Sequence, residues 1–122
     1  MKSILIICLF IFLSCASNKI DDGIPCTEEA RAGLNITVKN AVTGQILGEG
    51  ITVKATDGNY TETLEFFNGN NPVFSGAWER AGIYIITVSG VGYVTFVSDA
   101  ITVTADECHV IPQQIQIVLQ PE

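Results

Sequence analysis

The chain contains a single histidine, His109, set directly after Cys108 and two places after Glu107. A hydroxyl or thiol nucleophile needs a base within hydrogen-bond reach and a third group to orient that base. One histidine beside a cysteine leaves little for such an arrangement to draw on. No Gly-x-Ser-x-Gly elbow, His-Glu-x-x-His pair or phosphate loop occurs. The 13 acids include pairs such as Glu62 and Glu65, but that spacing puts two carboxylates on opposite faces of a strand, against glycosidase-like pairing. Asp57, Asn59, Asp106 and Glu107 carry oxygens that suit calcium at the end of a sandwich, and they equally suit turns. The expectation is a protein that is not an enzyme, with no cofactor and no metal.

Four cysteines are present. Cys8 lies inside an apolar run and Cys15 just after it, which leaves Cys26 and Cys108 as an even pair. In an oxidising compartment such a pair forms a disulfide. It would close a loop of about 80 residues, contributing on the order of 4 kcal/mol in the chain-entropy account. A metal site from Cys26, Cys108, His109 and Glu107 is the alternative. Neighbours on an extended segment point to opposite faces, so Cys108 and His109 are poorly placed to share one ion.

The remaining chemistry is recognition by surface. Phe66, Phe67, Phe74 and Trp78 flank the Asn68-Gly69-Asn70-Asn71-Pro72 turn sequence. Exposed there, they would stack on a sugar ring; buried, each would add ~150–250 Å² to a small core. The core assignment is the expectation, and ligand binding by Trp78 and its neighbours the alternative. Ile83 and Ile85 take the face opposite Tyr84, Ile86 and Val88, so that strand is apolar on both sides. Its outer side is either covered or open to a partner, including a second copy edge to edge; the oligomeric state stays open.

These residues must be positioned by strands. Leu34, Ile36 and Val38 alternate with Asn35, Thr37 and Lys39, as do Ile51, Val53 and Ala55 with Thr52, Lys54 and Thr56. Asp57-Gly58 then marks a turn. A threonine- and aromatic-rich run follows over residues 60–67, a short strand over 73–78 and a strong one over 82–89. A paired return follows over 93–97, then alternation at Ile101 and Val103 and at Ile115, Ile117 and Leu119. One helical turn is allowed over residues 27–32; no other mature stretch has a 3.6-residue period. The fold class expected is an all-β, antiparallel, Greek-key β-sandwich of about seven strands, transthyretin- or Ig-like.

The front of the chain reads as an address. Residues 1–14 hold one basic residue, Lys2, and an apolar run over 4–13, too short to span a ~30 Å hydrocarbon core and suited to a signal peptide. Phe12-Leu13-Ser14-Cys15 resembles the lipobox of bacterial lipoproteins, with Phe12 where Leu is usual. The resemblance implies that Cys15 is lipidated and becomes the new N-terminus, anchoring the protein to a membrane it does not span. Residues 15–25 form a lipidated tether and residues 26–122 the folded domain. Ala16 after the cysteine implies, by the same resemblance, an outer-membrane address. Lys19-Ile20-Asp21-Asp22 is similar to the acidic export signals of Bacteroidetes surface lipoproteins, leaving periplasmic and surface faces both open.

The segments Leu34-x-Ile36-x-Val38, Thr43-Gly44-Gln45-Ile46-Leu47 and Gly50-Ile51-Thr52-Val53 resemble the carboxypeptidase regulatory-like, or transthyretin-like, domains. Gly82-Ile83-Tyr84-Ile85-Ile86 followed by Gly92-Tyr93 does so too. The resemblance implies a non-catalytic sandwich module over about residues 33–119. One enzymatic branch of that family uses several histidines, an arginine and a C-terminal Tyr-Arg-Gly-Ser; this chain ends Leu119-Gln120-Pro121-Glu122, and that activity does not carry over. A net charge of −7 disfavours nucleic acid as a partner. The function expected is a lipid-anchored cell-envelope module with a structural or protein-interaction role, or, alternatively, a carbohydrate-binding module using Trp78 and the 66–74 segment.

Overall fold

A computed structural model describes residues 26–122; the signal-peptide, Cys15 and tether expectations fall on residues 1–25 and lie outside the described residues. Ten strands follow in chain order: β1 (Ala32–Asn40), β2 (Ile46–Leu47), β3 (Ile51–Asp57), β4 (Tyr60–Thr63), β5 (Glu65–Phe67), β6 (Val73–Trp78), β7 (Gly82–Gly90), β8 (Phe96–Val97), β9 (Ile101–Val103) and β10 (Gln113–Leu119). Two sheets pack face to face. The first runs β10-β1-β6-β5 with β2 also on β1, and the second β4-β3-β7-β8 with β9 also on β7. This is a β-sandwich.

The two-residue period decides which side chains enter the core. Leu34, Ile36 and Val38 of β1 are fully buried and meet Val53 and Ala55 of β3 and Tyr84, Ile86 and Val88 of β7, while Ile117 and Leu119 close one flank. Asn35, Thr37 and Lys39, between the buried β1 residues, keep partial exposure. Alternation of this kind fixes register, because a one-residue slip would turn the whole set outward.

Three features depart from the expected pattern. β1 and β10 pair in parallel, from Leu34 beside Gln113 to Asn40 beside Leu119, whereas every other strand pair is antiparallel. Periodicity gives a strand's faces but says nothing of its direction relative to a partner 79 residues away. The run over 60–67 divides, with β4 in one sheet and β5 in the other. Leu64, between them, is buried and donates its amide to Val53 O at 2.8 Å, which turns the corner. Glu62 and Glu65 therefore belong to different sheets rather than to two faces of one strand. Residues 27–30 form no helical turn and bend at Glu28; the contacts described next hold them.

Candidate functional site

The end of the sandwich that carries the N-terminal segment is built from three pieces of chain. Cys26 and Cys108 form the disulfide, with a Cα–Cα distance of 5.2 Å and a sequence separation of 82. Residues 105–110 fold back as a tight turn closed by a bridge between Ala105 and Val110. Asp106 organises that turn: its Oδ1 accepts the amides of Cys108 at 2.8 Å and His109 at 2.9 Å, and its own amide donates to His109 O at 2.9 Å. A short acidic side chain satisfying amides two and three places on is a standard turn device. Those two amides, His109 first, also hold the Asp106 carboxyl below the usual carboxylate range.

Glu79 joins this turn to the N-terminal segment. It sits just past β6 with a φ of 50°, and Ala77 two residues earlier has a φ of 55°. Both are left-handed conformations that non-glycine residues seldom adopt, at a cost of about 1–3 kcal/mol each. The kink delivers the Glu79 carboxylate to three partners. Its Oε1 accepts the Val110 amide at 3.0 Å, and its Oε2 meets the Arg31 amide at 3.1 Å and His109 Nδ1 at 2.5 Å. Its backbone amide donates to Arg31 O at 3.0 Å. The His109 bond, then the Val110 amide, draws the Glu79 carboxyl below its ordinary range.

His109 completes the chain of contacts. Its ring is 8% exposed, and its Nε2 lies 2.9 Å from Thr27 Oγ1. An ionised carboxylate only accepts hydrogen bonds, so Nδ1 carries a ring proton toward Glu79 and, in the neutral ring, Nε2 accepts the Thr27 hydroxyl. In front of these groups is an open groove of about 370 Å³ lined by Thr27, Glu28, Glu29, Asp106, Glu107 and His109 among others. Among the described residues no group of three His, Cys, Asp or Glu side chains is placed to hold a metal ion.

The aromatic candidates divide between core and surface. Phe74 is 2% exposed and packs on the half-buried Phe66 with ring centroids 4.9 Å apart; both belong to the core. Phe67 and Trp78 point to the outer face of the first sheet, 42% and 45% exposed, edge to face with centroids 6.4 Å apart. On the same sheet, Ser75 is buried, its hydroxyl donating to Asn35 Oδ1 at 2.9 Å. On the second sheet Ile83 is 57% exposed and Ile85 half-buried. Among the described residues nothing covers Ile83.

A second polar cluster closes the inner end of β7. The Arg80 guanidinium lies 3.7 Å from the centre of the Tyr60 ring, pairs with Asp57 at 3.0 Å and donates to the Tyr84 hydroxyl at 2.9 Å. Tyr84 in turn donates to Arg80 O at 2.8 Å. Asp57 is thereby engaged in an ion pair, and Glu62 accepts from the Tyr60 hydroxyl at 2.7 Å and the Ala77 amide at 3.1 Å. These contacts pair the buried Tyr84 hydroxyl and its partly exposed polar neighbours with one another.

Two residues of the first cluster were not singled out from sequence. Thr27 was within reach, since a Cys26–Cys108 disulfide places residue 27 beside His109. Glu79 had no such signal, because only the kink after β6 brings it there. The chain matches no protein-family model, and no curated protein matches it in sequence.

Proposed function

We propose that this chain is a lipid-anchored, non-catalytic binding module of the bacterial cell envelope, held on the outer membrane through Cys15. The reading draws on the lipobox-like Phe12-Leu13-Ser14-Cys15 and on the likeness of the strand motifs to carboxypeptidase regulatory-like domains. The observation that carries the binding role is the Phe67–Trp78 pair, two large aromatic rings left open to solvent in a domain short of core. Exposed aromatics of this kind are favoured as anchors for a protein partner. The disulfide and the Glu79 clamp would transmit a pull from the tether into β1 and β10 together, which suits a module that holds a partner near a membrane.

The same pair supports carbohydrate as the ligand, because a sugar ring stacks on an indole face and the amides of Gln114 and Gln116 lie exposed on the same sheet. Labelled palmitate should enter the wild-type protein in cells and be lost from Cys15→Ala. A glycan array then separates protein from carbohydrate. Binding that disappears in Trp78→Ala supports the sugar reading, and binding unaffected by that change removes the proposed surface.

A further inference from the structure

The clamp at the disulfide end has the geometry of an activated hydroxyl. Thr27 Oγ1 lies 2.9 Å from His109 Nε2, and His109 Nδ1 lies 2.5 Å from Glu79 Oε2. This is the order nucleophile, base, orienting carboxylate. Glu79 fixes the tautomer that leaves the Nε2 lone pair facing the hydroxyl, and is itself fixed by the Val110 and Arg31 amides. The imidazole is shielded while Thr27 is exposed on the open groove, so a reagent reaches the hydroxyl before it reaches the base.

We propose that Thr27 is a self-acylation site that takes one acyl group from an activated carboxylic ester. Thr27 Oγ1 attacks the ester carbonyl carbon, and His109 Nε2 accepts the hydroxyl proton. The bond from the acyl carbon to the leaving oxygen breaks, and that proton passes to the departing alcohol. The products are an ester on Thr27 and a free alcohol, with no change of oxidation state. The amides of Cys108, His109 and Val110, on the turn that lines the groove, are already given to Asp106 and Glu79. They are therefore not poised for an oxyanion, so both formation and hydrolysis of the Thr27 ester proceed slowly, without that stabilisation. The site captures an acyl group once, which is compatible with a binding module and independent of the Phe67–Trp78 surface. Glu28, Glu29, Asp106 and Glu107 line the groove, with Arg31 paired to Glu29 at 3.0 Å. That charge selects neutral or cationic acyl groups and repels anionic ones.

The test incubates the full-length, oxidised chain with para-nitrophenyl acetate and, separately, with the mono-para-nitrophenyl ester of succinate, and locates the adduct by peptide mass mapping. One acetyl ester on Thr27 is expected, forming at least ~10-fold more slowly from the anionic ester. The adduct should persist in Thr27→Ser, vanish in Thr27→Val and form about 100-fold more slowly in His109→Gln and Glu79→Gln, the scale of general-base catalysis. Thermal melting of each variant separates loss of reactivity from loss of fold. Absence of label on Thr27 in the wild type overturns the proposal whatever the variants do. An undiminished rate in a folded His109→Gln overturns it as well.

Discussion

Glu79 concentrates more of this molecule's constraint than any other side chain at the disulfide end. It accepts a left-handed backbone and makes four hydrogen bonds to two other segments. Its carboxyl and that of Asp106 are both held low, Glu79 chiefly by His109 and Asp106 chiefly by the His109 amide. A carboxyl whose folded value lies below its unfolded one contributes stability that is complete above the unfolded value, about 4. That contribution is lost as pH falls through the folded value. Urea midpoints followed from about pH 6 to about pH 2 should therefore fall below about pH 4, and Glu79→Gln combined with Asp106→Asn should flatten that limb. An acid limb equally steep in the double variant would show that other groups carry it. At this scale the sequence was only partly legible. The lone histidine and the cysteine pair were visible, but the meeting of Thr27, His109 and Glu79 depends on a kink that no spacing announces.

At the scale of strands, alternation settled faces, and two details of the observed packing give sharp expectations. Gly76 lies where the two sheets approach across β4 and β6, and a Cβ added there would stand 2.8 Å from Leu64 Cγ and 2.6 Å from Glu62 Oε2. Gly76→Ala should cost about 1–3 kcal/mol by overpacking, read as a lowered urea midpoint; a neutral result would mean that the corner at Leu64 yields. Phe74 and Trp78 share β6 but not a fate. Phe74→Ala should cost about 3–5 kcal/mol, whereas Trp78→Ala, half-open to solvent, should stay under about 1 kcal/mol in stability. Equal losses would contradict the division into core and surface rings. The strand faces, the β6 and β7 segments and most turns were readable because burial imposes a period of two. The parallel β1–β10 pair and the sheet change at Leu64 were not, because both are decided by long-range partners rather than local pattern.

For the whole molecule, the disulfide ties the segment before β1 to the turn before β10, and those two strands already lie side by side. The bridge closes most of the domain into one loop, so Cys26→Ser with Cys108→Ser should lower stability on the order of 4 kcal/mol. Equilibrium urea unfolding of that pair of variants checks it, with a loss below about 1 kcal/mol as the contrary result. The reduced form should also free residues 26–31 for proteolysis while the two sheets remain protected.

The end of the sandwich is one connected clamp running through the imidazole. Because the chain has one histidine, an imidazole ¹⁵N spectrum in mildly alkaline solution contains a single ring. The clamp predicts a proton fixed on Nδ1 and a bare Nε2, with the pattern lost in Glu79→Gln. A ring protonated on Nε2, or one exchanging freely between tautomers in the wild-type protein, would contradict it.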